Sequence, residues 1–254
     1  MKIASWNVNS LRVRLPHVLR WLDEQRPDVL ALQETKTEDR NFPVAEFESA
    51  GYRTVFSGQP TYNGVAILSR DPANVFATAL PDFDDPQKRV LGVSIGDVAI
   101  LDLYVPNGQS LESDKYRYKL DWLAQLNLWL ADLLKEYPQL VLLGDFNIAP
   151  EDRDVHDPAA WAGQVLVSEP ERAAFQRLLQ QGLRDSFRLH EAGAGHYSWW
   201  DYRAAGFRRN QGLRIDHILL SLPLAQRCAA AGIDREPRNW ERPSDHTPVS
   251  IELS

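Results

Sequence analysis

Six short stretches of this chain set acids, amides, a phenol or imidazoles directly behind an apolar run or a tight turn. Ile3-Ala4-Ser5-Trp6 leads into Asn7-Val8-Asn9, and Val29-Leu30-Ala31-Leu32 into Gln33-Glu34-Thr35-Lys36. Ile100-Leu101-Asp102-Leu103 leads into Tyr104-Val105-Pro106-Asn107, and Leu140-Val141-Leu142-Leu143 into Gly144-Asp145-Phe146-Asn147. Leu213-Arg214-Ile215 precedes Asp216-His217, and Pro243-Ser244 precedes Asp245-His246. Carboxylate and amide oxygens suit a hard cation that keeps several of its waters, with Glu34 a candidate ligand. An ionised Asp145 can take a proton from water while Asn147 donates to an oxygen gaining charge. Asn7 and Asn9 are uncharged and would orient a ligand; Tyr104 and Asn107 could hydrogen-bond a phosphate oxygen. Asp216 can hold the His246 imidazole protonated or fix its tautomer. Each stretch alone reads equally as a turn, a helix cap or a surface ion pair. All six in one chain point to one site for a cation and a phosphate ester.

Buried strands require continuous apolar side chains, so polar groups wait for the strand ends, where water or substrate can reach them. The runs before Asn7, Gln33, Tyr104 and Gly144 read as such strands, alternating with helical patterns as in an α/β domain. Ser10 is placed to cap a helix carrying Leu11, Leu15, Val18, Leu19 and Leu22 on one face, its regular part starting near Pro16. Residues 51–70 read as two short strands turning near Gln59-Pro60-Thr61, and residues 89–103 as a hairpin about Gly96. The longest helix starts near Asp114 and closes at Pro138; residues 149–163 are loop-like, and 169–181 form another helix. No linker or regular repeat divides residues 1–254, so one domain is expected, although polar strand ends in both halves hint at a loosely two-fold plan.

Hydrophobic residues make up 44% of the chain and include eight tryptophans, enough for a sizeable core. The net charge of −7 weighs mildly against a nucleic-acid binder. Charge on one face is what matters, and bound metal would offset the acids of the strand ends. The single cysteine, Cys228, allows no internal disulfide, and no signal peptide or membrane-length apolar run is visible, so a cytoplasmic protein is expected. Aromatic and basic residues interleave from His196 to Arg214: Trp199, Trp200, Arg203, Phe207, Arg208 and Arg209 among them. Wedges beside cations are used to open a DNA groove and neutralise its backbone. Trp200 reads as core, while Arg203 and Arg208 read as DNA contacts, with Arg12, Arg14, Lys115, Arg117 and Lys119 as further candidates.

Taken in order, the motifs resemble the exonuclease III family of apurinic/apyrimidinic (AP) endonucleases, bacterial branch, within the endonuclease/exonuclease/phosphatase superfamily. The resemblance is carried by Trp6-Asn7-Val8-Asn9-Ser10-Leu11-Arg12, Leu32-Gln33-Glu34-Thr35-Lys36, Asn63-Gly64-Val65-Ala66 and Tyr104-Val105-Pro106-Asn107-Gly108. It continues through Gly144-Asp145-Phe146-Asn147-Ile148-Ala149-Pro150, Ser198-Trp199-Trp200-Asp201-Tyr202-Arg203, Gly212-Leu213-Arg214-Ile215-Asp216 and Ser244-Asp245-His246. It implies a four-layer α/β sandwich, two packed mixed β-sheets flanked by helices, with the site at the strand ends on one edge.

The resemblance also implies a Mg2+-dependent DNA repair nuclease, with Mn2+ able to substitute: incision 5′ to abasic sites, 3′→5′ exonuclease action on duplex DNA, and 3′-phosphatase or phosphodiesterase trimming. By resemblance Glu34 is the main metal ligand, supported by Asn7 and the neighbourhood of Asp245, with Asp145 and Asn147 close to the metal. Asp145 would deprotonate the attacking water, Asn147 would orient it, and Tyr104 and Asn107 would contact the phosphate. His246, paired with Asp216, would stabilise the pentacovalent state. Asn9, Lys36, Arg203 and Arg208 would meet DNA, and Trp199 and Leu213 would line the pocket for a flipped, base-less sugar. Beside a metal, Asp145 is expected to have a lowered pKa. The implied partner is double-stranded DNA with abasic sites or damaged 3′ ends, met by a monomer away from membranes and associated with the nucleoid. Two other classes compete: a catalytically silent nucleic-acid-binding regulator, which should have lost ligands, and a superfamily phosphatase or phospholipase, which should lack the Ser198–Arg203 loop.

Overall fold

Alternation along the central strands decides how the layers stack. In the computed structural model, which describes residues 1–254, Ile3, Val29, Ala31, Ile100, Val141, Leu143, Ile218 and Leu220 meet in one apolar layer. Their odd-man neighbours Ala4, Leu30 and Leu32 face a second layer, and Leu101, Leu103, Leu140 and Leu142 a third. A strand buried on both faces has this period of two and reads as a continuous apolar run.

The strands are β1 (Lys2–Asn7), β2 (Val29–Gln33), β3 (Arg53–Ser57), β4 (Val65–Ser69), β5 (Asn74–Ala77) and β6 (Val90–Ile95). They continue with β7 (Val98–Tyr104), β8 (Leu140–Asp145), β9 (Leu183–Asp185), β10 (Asp216–Ser221), β11 (Cys228–Ile233) and β12 (Val249–Leu253). One six-stranded sheet has the order β11-β12-β1-β2-β4-β3, the other β5-β6-β7-β8-β10-β9. At the centre of each lies a single parallel pair, β1 with β2 and β7 with β8, flanked by antiparallel neighbours. The two-fold hint in the sequence is this shared plan, and parallel pairing sends the ends of four central strands to one edge. Helix α1 (Leu11–Gln25) covers the outer face of the first sheet through Val18, Trp21 and Leu22, with α2 (Val44–Ser49) adding Phe47. Beyond the second sheet, α3 (Asp114–Glu136) packs Trp122, Leu123, Leu126 and Leu130. After the one-turn α4 (Pro158–Trp161), α5 (Glu169–Gln180) adds Ala174, Phe175 and Leu178 to the same layer. Helix, sheet, sheet, helix: the four-layer α/β sandwich is the observed architecture.

Most expected elements fall where the sequence placed them, including the hairpin at Gly96 and the end of α3 before Pro138. Two local expectations are corrected. Ser10 precedes α1 but its side chain makes no cap bond, because its φ of 91° turns the backbone instead: the Ser10 and Leu11 N–H groups donate to the Glu34 and Thr35 carbonyls at 2.8 and 2.9 Å. The helix therefore starts at Leu11, with Pro16 inside it. Asp216 opens β10, and antiparallel pairing with β8 sets it opposite Asp145.

Candidate active site

Counting by twos from the inter-sheet residues Ile3, Val29, Ile100 and Val141 arrives at Asn7, Gln33, Tyr104 and Asp145, each the last residue of its strand. Counting back from Ile218 arrives at Asp216. The site is thus the place where the apolar layer between the sheets ends and polar side chains continue it. Glu34, Asn9 and Asn147 follow their strands with positive φ of 52°, 44° and 50°, a conformation uncommon outside glycine and concentrated at functional sites.

The Asn7 amide joins the two halves: Nδ2 donates to Glu34 Oε1 at 2.9 Å and to Asp145 Oδ2 at 2.8 Å. Asp145 Oδ1 accepts the Asn147 backbone N–H at 2.9 Å, and Asn147 Oδ1 accepts from Asn107 Nδ2 at 3.1 Å. His246 stands between two acids, Nδ1 2.9 Å from Asp216 Oδ2 and Nε2 3.7 Å from Asp145 Oδ2. Burial alone would lower the imidazole, but Asp216 and Asp145 outweigh it and push its pKa up to about 10, so it is an imidazolium at neutral pH. Asp145 is pushed up to about 7, chiefly by burial and further by Asp216 and Glu34, against the pull of His246 and the Asn7 hydrogen bond. That value belongs to the protein groups alone; the lowering expected of Asp145 is the effect of a metal bound beside it. Burial, then Glu34 and Asp145, raise the Tyr104 phenol well above its usual value, so it stays an O–H donor.

Glu34, Asp145 and His246 offer ligand atoms that all lie within 4.8 Å of one another. Two carboxylates turned toward one amide donor and a neighbouring imidazolium are a donor set that suits a hard divalent ion. Asp245 lies outside that trio: its oxygens accept from Asn9 Nδ2 at 2.9 Å and Trp199 Nε1 at 3.0 Å. Burial opposes its charge, but His246 and these two bonds hold its carboxyl below the usual value. Lys36 Nζ reaches Glu34 Oε2 at 2.9 Å and Asn9 Oδ1 at 2.6 Å, so Asn9 and Lys36 join the same rim.

Open clefts lie on both sides. One, of about 580 Å³, is lined by Arg12, Lys36 and Asn41. The other, of about 690 Å³, is lined by Arg89, Tyr104, Asn107 and Lys115. Arg208 lies apart, in a shallow depression with Tyr202 and Phe207, and Arg203 is exposed and bound to Asp201 Oδ1 at 3.0 Å. Trp200 is core, as its sequence context suggested. Two expectations are corrected. Leu213 is fully buried among Ala149, Val155, Leu166 and Ile215 and pairs with Trp199 through an isolated bridge, so it does not line an open pocket. Lys119, a candidate DNA contact, is also fully buried.

Sequence reasoning missed the residues that hold the site from below. Ser198 Oγ donates to Asp216 Oδ2 at 2.6 Å, and Ser244 Oγ donates to the Asn7 carbonyl at 2.8 Å. Gln33 Nε2 bridges Ser5 Oγ and Asp102 Oδ1 at 3.0 and 2.6 Å between the sheets. Arg89 spreads over the Tyr104 ring at 4.6 Å. The two-residue period would have found Gln33 and Asp102, since both break an apolar inter-sheet stripe. Ser198 and Ser244 carry no such signal.

Fold and site together define an α/β phosphoesterase-like protein, with carboxylates, amides and an imidazolium gathered at one edge of two packed sheets. The chain belongs to the Endonuclease/Exonuclease/phosphatase family, whose profile matches residues 4–246. It is 38% identical to exodeoxyribonuclease III of Haemophilus influenzae, with both chains fully covered. Its structure superposes on a 3′ phosphatase from Neisseria bound to a product DNA hairpin with a TM-score of 0.97, at 47% identity, covering 100% of this chain and 99% of that one. An AP endonuclease from Archaeoglobus fulgidus matches with a TM-score of 0.95 and 39% identity, over 100% and 99% of the two chains. The nucleases of this family are metal-dependent, and the carboxylates of Glu34 and Asp145, beside the His246 imidazolium, are where this chain could hold the ion.

Proposed function

We propose that this chain is a Mg2+-dependent DNA repair nuclease that hydrolyses phosphodiesters of double-stranded DNA, by incision 5′ to abasic sites and by trimming of 3′ ends. The observation that carries the reading is the placement of His246, anchored through Nδ1 by Asp216 and presenting Nε2 3.7 Å from the carboxylate of Asp145. Attack on a phosphodiester needs a base for water and a fixed positive group for the oxygens that gain charge; this pair supplies both at one point. Asp145 takes the water's proton, its carboxylate held in place by the Asn147 N–H on Oδ1 and the Asn7 amide on Oδ2. His246 Nε2–H, Tyr104 O–H and the Asn107 amide donate to the phosphate. Mg2+ held by Glu34 and Asp145, with Mn2+ able to substitute, would polarise the phosphoryl oxygen and offset the charge of the leaving oxygen. Asn7, now hydrogen-bonded to both carboxylates, keeps them facing one another. The relatives' names, the two clefts and the bacterial exodeoxyribonuclease support DNA as substrate and a cytoplasmic, nucleoid-associated setting. The working unit is one domain, residues 1–254, acting as a monomer.

The deciding experiment incubates a labelled duplex carrying one abasic-site analogue with Mg2+ or with EDTA, beside the Glu34→Ala protein, and sizes products on a denaturing gel. The expected result is a metal-dependent nick on the 5′ side that the variant loses. Shortening from the 3′ ends alone would remove the endonuclease and leave an end trimmer. No cleavage by folded protein would favour the silent regulator.

A further inference from the structure

Lys119 is the one lysine among the buried residues, its side chain 0% exposed, on the second turn of α3. An ammonium has three protons, and all three are committed. Nζ donates to the Asn147 carbonyl at 2.6 Å, to the Asn107 carbonyl at 3.1 Å and to Glu171 Oε1. Glu171, equally buried on the first turn of α5, receives the Leu166 N–H at 3.0 Å and the Ser168 N–H at 3.1 Å, and the Ser168 hydroxyl as well. Ser168 in turn bonds the Tyr116 hydroxyl on α3 at 2.6 Å. A buried ion pair gives little net stability compared with apolar side chains of the same size. What this one supplies is position. The two carbonyls it grips belong to the two residues whose side chains meet at 3.1 Å on the site floor, Asn107 Nδ2 with Asn147 Oδ1. Asn147 holds a φ of 50°, and a backbone in that conformation needs its surroundings to fix it.

We infer that Lys119 is a positioning residue, whose ammonium, fixed by Glu171, clamps the loops after β7 and β8 so that Asn147 Oδ1 holds the Asn107 amide in place and Asn107 presents its remaining N–H to the phosphate. The inference rests on the proposed nuclease reading for its kinetic consequence, and on geometry alone for its structural one.

Lys119→Met by itself strands a buried carboxylate, so the protein to test is Lys119→Met/Glu171→Gln, which removes both charges and keeps one oxygen to accept the Ser168 N–H and hydroxyl. Its thermal midpoint establishes folding. On the abasic duplex with Mg2+, kcat falls roughly 30- to 100-fold, the scale of a small misplacement of a reacting group, while KM changes less than about threefold. Adding Asn147→Ala to that double variant costs far less than Asn147→Ala does in the wild-type background, since both act through one side chain. The side-chain NH2 resonances of Asn107 and Asn147, assigned by their alanine variants, broaden or lose their separate shifts in the folded double variant. That readout decides the matter even if wild-type protein cuts no DNA. Wild-type kcat in the folded variant, an additive loss with Asn147→Ala, or unmoved amide resonances would each overturn the clamp and leave Lys119 a core cross-link.

Discussion

Asp145 must be charged to accept a proton, yet it lies 1% exposed between Asp216 and Glu34, an environment that raises its pKa to about 7. Three groups oppose that rise: His246, Asn7 and the Asn147 N–H each favour the ionised form. A cation held by Glu34 would add to them, which fits a site that is active only when loaded. Asp145→Ala should therefore abolish turnover, by at least about 10²- to 10⁴-fold as for loss of a general base, while retaining affinity for abasic duplex in chelator. A gel-shift titration beside the cleavage assay measures both, and loss of folding in the variant would recast Asp145 as structural. At this scale the sequence was readable for a chemical reason. Carboxylates, amides and imidazole are costly to bury, so their appearance directly after apolar runs marks a strand end that is not mere surface. It was unreadable where a residue's role depends on who faces it. Nothing near Lys119 in the sequence announces Glu171, fifty-two positions on, and nothing near Arg203 distinguishes a DNA contact from a partner for Asp201.

The strands β7 and β8 approach so closely at the site that one position admits no side chain. A Cβ on Gly144, whose φ is 134°, would stand 1.9 Å from the Leu103 carbonyl oxygen. The parallel pairing Leu103 with Gly144 and Tyr104 with Asp145 is thereby held in register, and with it the distance between phenol and carboxylate. Gly144→Ala should cost about 3 kcal/mol from overpacking and a disallowed φ together, lowering the thermal midpoint by on the order of 10 °C. Differential scanning calorimetry would test it, and an unchanged midpoint would show that the two strands can part without loss. Elements were largely legible because period and punctuation agree with the fold: four-residue apolar runs inside β2, β7 and β8, Gly96 for the hairpin, Asp114 and Pro138 for the bounds of α3. Ser10 misled because the same residue type that caps helices also sits in turns. Here the α1 entry is fixed by the Glu34 and Thr35 carbonyls, a tertiary contact no local pattern encodes.

Across the whole molecule, charge is distributed in two ways with separable consequences. A net −7 chain can bind duplex only through local positive surface, so affinity should fall steeply with added salt. Arg208→Ala, which removes an exposed and unpaired cation, should flatten the log–log slope by about 1; an equal slope in the variant would take Arg208 off the DNA face. The second distribution is buried, beneath the site. Arg214 bonds Asp154 Oδ1 at 2.7 Å and Asp185 Oδ2 at 2.7 Å, and its Nη1 lies 3.0 Å from His217 Nδ1. Burial would raise Asp154 and Asp185, but Arg214 outweighs it and holds both below the usual carboxylate value. His217 is lowered to about 4, by burial first and by Arg214 next, and as a neutral imidazole it accepts from Arg214 and donates through Nε2 to the Ile148 carbonyl at 2.8 Å. The unfolded chain takes up the histidine's proton at about 6.5 while the folded chain resists until about 4. Between those values the unfolded state binds more protons, so His217 makes stability decline as pH falls, by roughly 3 kcal/mol over the window. The two depressed carboxylates add to the loss only further down, below their ordinary range. Asp145, raised to about 7, has the opposite sign in that window, and His246, raised to about 10, titrates above it, so the comparison that isolates the effect is between wild type and His217→Gln, which keeps a donor for Ile148. Urea midpoints of the two proteins at pH 7, 5.5 and 4 should converge as the pH drops, the variant starting lower and losing less. Parallel curves would mean that His217 is already protonated in the folded chain, and that the Arg214 cluster tolerates a second buried cation.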